Sequence, residues 1–205
     1  MKVRVSARIR ALALSVGIGC SVVSVAATLD SVEITHDNGR YHVLANSFLD
    51  AAPSAVHAVL LNFDDDAYAE ISEIYKESAY LEPDRDGTPI VFTHVEGCLL
   101  LFCRSMRRVE RLEVVTPRLI RTLVVPDRSD FRYAMSEWVL EPESGGTRVT
   151  YNMTVQPDFE LPPLIGPLFL RRFLLRGGVD AIDRIEELAT EIAASQQDAR
   201  QNSSQ

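Results

Sequence analysis

The clearest pattern lies near the end of the chain, where Val149, Tyr151, Met153 and Val155 share one face and Arg148, Thr150, Asn152 and Thr154 the other. A period of two belongs to a strand with one face against an interior. Upstream, from residue 74 onward, β-branched and aromatic residues are cut by turn-forming clusters: Pro83-Asp84-Arg85-Asp86-Gly87, Thr116-Pro117, Pro126-Asp127-Arg128 and Ser144-Gly145-Gly146. This punctuation predicts an antiparallel meander with strands over 78–81, 90–96, 106–115, 119–125, 131–140 and 147–155. Another strand is expected over 41–49, followed at Pro53 by a helix whose Val56, Val59, Leu60 and Phe63 fall at i, i+3, i+4, i+7. Asp64-Asp65-Asp66 then reads as a solvated turn before a short helix over 67–74. After the proline-rich connector 157–167 the period becomes helical. Ile165, Leu168, Phe169 and Phe173, then Ile182, Ile185, Leu188, Ala189 and Ile192, form one apolar stripe, with Asp183, Arg184, Glu186, Glu187 and Glu191 opposite. Gly177-Gly178 leaves room for a bend or break between the two halves of that helix. Strands first and a long helix last describe an α+β domain in which a curved antiparallel sheet wraps around a C-terminal helix.

The ends of the chain differ from this body. Lys2, Arg4, Arg8 and Arg10 precede an apolar, small-residue run over 11–25 and the sequence Val25-Ala26-Ala27, the three-part pattern of a secretory signal peptide cleaved near Ala27. The run contains Ser15, Gly17, Gly19 and Ser21, so a permanent membrane helix of about 20 solidly apolar residues is the weaker reading. Anchoring as a lipoprotein through Cys20 is a minority alternative. Segments 1–27, 28–194 and 195–205 are thus read as signal peptide, ligand-binding domain and polar disordered tail, with the mature protein in the periplasm. Without the first 27 residues, 29 acidic residues face 17 basic ones, a net charge of −12. An acidic chain is a poor partner for the phosphates of nucleic acid and for anionic lipid in general.

Candidate chemistry is sparse. No nucleophile motif appears, no cofactor is expected, and His36, His42 and His57 show no pairing pattern. In one straight strand Cys98 and Cys103 would stand about 16 Å apart at ~3.3 Å per residue. A disulfide between them therefore requires the chain to turn, and Gly97 together with the flanking strands suggests a hairpin there. The expected result is a stapled tip carrying Leu99, Leu100, Leu101 and Phe102, which either packs as core or makes transient membrane contact. A metal site from His94, Glu96, Cys98 and Cys103 is disfavoured, because the spacing matches no zinc signature and oxidation removes the thiolates. Arg104, Arg107, Arg108 and Arg111, interspersed with Glu110 and Glu113, read mainly as a solvated strand face. Arg108, Arg111, Glu137 and Arg148 are the polar candidates for an interior position.

The element order resembles the helix-grip fold of the START-like superfamily (SRPBCC), which includes polyketide cyclases and coenzyme Q-binding proteins. The resemblance spans residues 38–192. It is carried by the passage from Phe48 through Pro53 to Val56, by Ser136-Glu137-Trp138-Val139-Leu140-Glu141-Pro142 with Gly146-Thr147-Arg148-Val149-Thr150-Tyr151, and by Gly178-Val179-Asp180-Ala181-Ile182 in the last helix. It implies an apolar pocket between sheet and helix that takes a lipid, sterol, quinone or polyketide. On that basis Phe92, Leu100, Phe102, Phe131, Tyr133, Met135, Trp138, Tyr151, Met153, Phe169 and Phe173 are the expected walls, and the expected partner is a hydrophobic small molecule or lipid. Two other readings stay open: a cyclase- or aromatase-like enzyme, which a polar pair inside the pocket would favour, and an envelope module that binds another protein.

Overall fold

The computed structural model describes residues 4–5, 27–99, 102–158 and 166–202. A nine-stranded antiparallel sheet has the order β1-β2-β3-β9-β8-β7-β6-β5-β4. Its strands are β1 (Arg4–Val5), β2 (Thr28–Asp37), β3 (Arg40–Leu49), β4 (Tyr75–Leu81), β5 (Ile90–Leu99), β6 (Phe102–Thr116), β7 (Leu119–Val124), β8 (Phe131–Glu143) and β9 (Gly146–Pro157). Helices α1 (Pro53–Leu60) and α2 (Ala67–Ile71) lie in the crossover between β3 and β4, and α3 (Gly166–Asn202) follows the sheet. Every strand of the expected meander is present. Asp64–Asp66 forms a single 3-10 turn with no buried side chain, and Asp66 accepts a bond from the Ser78 amide at 2.9 Å. The aspartates fasten the α1–α2 corner to β4.

Strand β2 has no counterpart among the expected elements. Asn38 and Gly39 take positive φ (50° and 76°) and join β2 to β3 through the closing pair Asp37–Arg40. Two left-handed residues in a two-residue loop match the right-handed twist of the strands they connect, so Asn-Gly was the available signal for this hairpin. The expected turn at Ser144-Gly145 has the same geometry (φ 36° and 90°) and is closed by Glu143 and Gly146.

The sheet buries one face against the helices. Leu49, Val91, Leu112, Ile120, Leu140 and Val149 pack with Val56, Val59 and Leu60 of α1 and with Ile182, Ile185 and Ala189 of α3. A second cluster of Tyr41, Val43, Val95, Met106, Val124, Phe131, Ala134, Met153 and Val155 occupies the rest of the same concavity. Helix α3 is continuous across Gly177-Gly178 and runs through to Asn202, past Ser195 where order was expected to end. Residues 196–199, 201 and 202 are exposed, but Gln, Ala and Arg are good helix formers and propagation costs far less than nucleation. Absence of apolar residues forbids packing; it does not forbid helix. Residues 6–26, which hold most of the expected export signal, and 159–165 of the proline-rich connector lie outside the described residues. Among the described residues no helix is long and apolar enough to cross a membrane.

Candidate functional site: a cavity between sheet and helix

Between the two buried clusters the concave face stands off from α3, leaving a partly open cavity of about 110 Å³. Val43, Val95, Met106, Met153 and Val155 supply its sheet side, Leu60, Ile71, Ile74 and Tyr75 one end, and Gly178, Ala181, Ile182 and Ile185 its helix side. The last four fall at i, i+3, i+4, i+7 and therefore share one face of α3. Trp138 and Tyr151 also line it, with ring centroids 4.1 Å apart. Among the described residues, Arg108 is the one charged side chain in the wall.

The alternation of β6 explains how an arginine comes to lie there. Met106, Arg108, Glu110 and Leu112 occupy one face of the strand, and Met106 and Leu112 are core residues, so the two charges between them are carried inward. Arg108 Nε lies 2.9 Å from Glu110 Oε2, though out of alignment for a hydrogen bond. Glu110 is 1% exposed and accepts a bond from the Thr122 hydroxyl at 2.9 Å. Thr122 in turn lies 3.2 Å from Ser136 Oγ, while the Tyr151 hydroxyl donates to Met153 Sδ at 3.0 Å. A polar row thus crosses the concave face from β6 through β7 to β8. Thr93, directly opposite Arg108 on β5, is 1% exposed and its hydroxyl has no partner.

The electrostatics follow from burial. Burial opposes the charge on Arg108, yet the adjacent Glu110 carboxylate outweighs it and holds the guanidinium pKa above its ordinary value. Burial raises the phenol pKa of Tyr68, Tyr75 and Tyr151, so all three stay neutral. Tyr68 donates to the Leu60 carbonyl at 2.7 Å, and Tyr75 lines the cavity together with Arg108. The interior presents neutral aromatic hydroxyls around one compensated ion pair.

No family model matches the sequence, and no curated protein matches it. Solved structures do match. An aromatase/cyclase, ZhuI from Streptomyces sp. R1128, superimposes with a TM-score of 0.57 at 17% identity, covering 74% of this chain and 94% of its own. A STAR-related lipid transfer protein from Xanthomonas axonopodis gives 0.58 at 17% identity, covering 80% of this chain and 99% of its own. Human STARD10 gives 0.56 at 12% identity, covering 86% of this chain and 78% of its own. This is the START-like helix-grip fold.

Within the helix-grip frame the expected wall residues divide. Phe131, Trp138, Tyr151 and Met153 line the cavity. Tyr133 and Met135 do not. A β-bulge between Phe131 and Tyr133 shifts the register of β8, so that Ala134, Ser136 and Leu140 are buried while Tyr133 turns to the convex face beneath the Arg40 guanidinium, 4.5 Å from its ring centroid. Phe92 is likewise convex, opposite Val109 and 5.0 Å from the Arg107 guanidinium, because Val91, Thr93 and Val95 take the inward positions. Leu100 lies outside the described residues, as do the side chains of Phe102, Phe169 and Phe173.

Three of the four polar candidates are also corrected. Arg111 is on the convex side, where it clips the β4–β5 loop through Asp84, Asp86 (2.6 Å) and Thr88 (3.0 Å). Glu137 pairs with Arg121 at 2.8 Å. Arg148 pairs with Asp30 and, at 2.7 Å, with Glu143. Each faces water, since strand alternation alone leaves open which face is concave. Glu110 departs in the opposite sense: its charge suggests a solvated strand face with the arginines, whereas its place on the Met106–Leu112 face carries it inward. Tyr68 and Tyr75 were not anticipated, because neither sits in a regular pattern.

Cys98 and Cys103 form a disulfide across the β5–β6 hairpin. His94 contacts Ser105 Oγ at 2.6 Å, with Glu77 and Glu96 at 3.5 and 3.7 Å. With both sulfurs in the disulfide, the thiolates a metal at His94 would need are absent.

Proposed function

We propose that this protein encloses a hydrophobic small molecule between the concave sheet face and α3 and carries it in the cell envelope. The observation that carries the reading is the cavity itself, an apolar space walled by Trp138, Tyr151, Met153 and Ile182 and containing one compensated ion pair. Apolar walls remove the ligand from water at about 25 cal/mol per Å², and a few polar groups fix its orientation. The ZhuI aromatase/cyclase and STAR-related lipid transfer structures share the fold and support a ligand of this kind. About 110 Å³ is below the roughly 300–1,000 Å³ of drug-sized sites. A lipid-sized guest therefore requires α3 to move away from the sheet on loading. The disulfide suits an oxidising compartment, in keeping with an export signal at residues 1–27.

The buried pair Arg108–Glu110 favours the enzyme as a second reading. Against it, arginine does not give up its proton in proteins, and Glu110 is committed to Arg108 and Thr122. The pair is suited to orient a guest and poorly suited to move a proton within it.

The test is native mass spectrometry of the protein purified from its own envelope, followed by organic extraction. A stoichiometric lipid, quinone or related apolar compound is the expected result. An empty protein that also fails to bind the neutral apolar fluorophore N-phenylnaphthylamine would sink the carrier reading.

A further inference from the structure

We infer that Glu186 of α3 is the receptor for an ammonium group that export creates: the leader is cut between Ala26 and Ala27, and the new terminus at Ala27 binds the Glu186 carboxylate. The inference rests on the export reading and deepens it, by fixing which bond is cut and what holds the new end of the chain.

Two small residues separated by one other mark a leader-peptidase site, and two adjacent bonds qualify. Ser24-Val25-Ala26 precedes the first and Val25-Ala26-Ala27 the second. The fold separates them, because Ala27 belongs to the folded body. Its side chain packs against the core cluster shared by the sheet, α1 and α3, and its N–H donates to Glu186 Oε1 at 3.0 Å. A chain beginning at Thr28 would give up both contacts. The other oxygen, Oε2, accepts from the Asp50 amide at 2.5 Å, so one carboxylate gathers the start of β2, the β3–α1 junction and α3. That carboxylate lacks a cation. Among the described residues no basic side chain pairs with Glu186, and Arg184, the nearest in sequence, is turned to Glu70 and Glu187. Hydrolysis supplies one. Water adds across the Ala26–Ala27 bond, its oxygen going to the Ala26 carbonyl carbon and both its protons to the Ala27 nitrogen, which leaves a carboxylate on the leader and an ammonium on Ala27. The amide donor beside Glu186 becomes a charged one, and charge-assisted hydrogen bonds are roughly twice as strong as neutral ones. Leu29, just beyond Ala27, and Ile185, just before Glu186, both line the cavity, so the latch fastens β2 to α3 along the cavity wall. Strand β1 leaves with the leader, and β2 becomes the edge of the sheet.

The experiment uses the chain expressed with its leader and recovered from the envelope. N-terminal sequencing is expected to read Ala27-Thr28-Leu29. Cleavage at any other bond overturns the inference, whereas a chain that still begins at Met1 brings down the export reading beneath it. The latch itself is read by amine chemistry, because Lys2 leaves with the leader and Lys76 is then the one lysine. Acetylation by N-hydroxysuccinimidyl acetate near neutral pH is followed at the α-amine, with Lys76 as the internal reference. A free α-amine titrates just above neutrality, and only its neutral form reacts. A carboxylate beside it favours the unreactive ammonium. Glu186→Gln is therefore expected to speed acetylation of the α-amine about 10-fold, the equivalent of one charge-assisted hydrogen bond, and to leave the rate at Lys76 unchanged. An unchanged α-amine rate in a folded Glu186→Gln overturns the latch. Should that variant fail to fold, deletion of Ala27 from the full chain puts Thr28 at the new terminus, and the same acceleration is expected there; a wild-type rate would overturn the inference equally.

Discussion

Replacing Gly178 separates stability from ligand capacity. This glycine lies within the 37-residue helix α3 and lines the cavity, and a Cβ added to it meets no heavy atom within 4 Å. Its φ is not in the left-handed region, so the backbone accepts any L-residue. Alanine is better than glycine in a helix interior by about 0.8–1 kcal/mol, and nothing in the surroundings subtracts from that gain. For a chain of this size about 1 kcal/mol corresponds to a rise of roughly 2–4 °C in Tm. Leucine retains most of the propensity gain. Its side chain projects from the same face as Ala181, Ile182 and Ile185, into a space of only about 110 Å³. Gly178→Leu is therefore expected to melt no lower than wild type and to lose binding of N-phenylnaphthylamine, while Gly178→Ala melts higher and binds nearly normally. Calorimetry and a fluorescence titration on the same preparations provide both readings. A folded Gly178→Leu that binds with wild-type affinity would refute the placement of the ligand, and a lower Tm for Gly178→Ala would refute the open space beside the helix.

Gly146 is the contrasting case. A Cβ there would meet the Leu49 carbonyl oxygen at 2.2 Å and the Phe48 ring at 2.6 Å, so Gly146→Ala is expected to cost several kcal/mol, of the order of overpacking a core; a denaturant midpoint within error of wild type would contradict this. Asp86 is held down at about 2, first by its hydrogen bond from Arg111 and then by Thr88. A depressed carboxylate stabilises the fold above its unfolded pKa and loses that contribution as pH falls through the folded one, so the Arg111 clip should release between about pH 4 and 2. A carboxyl NMR titration giving Asp86 an unshifted midpoint would exclude the clip in solution.

Much of the fold was written in the one-dimensional pattern. The period-two run of β9, the proline at the start of α1 and the 3.6-residue stripe of α3 each report a local geometry and a single buried face. Together with their order they lead to a curved sheet closed by a C-terminal helix, because an amphipathic strand and an amphipathic helix can bury their apolar faces only against one another. The paired cysteines were legible for a covalent reason, since a six-residue segment can bring Cys98 to Cys103 only by turning back. Asn38-Gly39 carried the β2–β3 hairpin just as openly.

The cavity was less legible, and the reason is geometric. Alternation divides a strand into two faces without saying which is concave, and one inserted residue exchanges them. The bulge at Phe131/Tyr133 sent Tyr133 and Met135 outward. Arg111, Glu137 and Arg148 found acids on the convex face, whereas Arg108 and Glu110, of the same residue types, were carried inward between Met106 and Leu112. Sequence determined that a buried face exists and which residues alternate onto it. Only the tertiary structure decided which charges share that face with the helix, because their burial depends on strand register, twist and the position of α3, none of which is local.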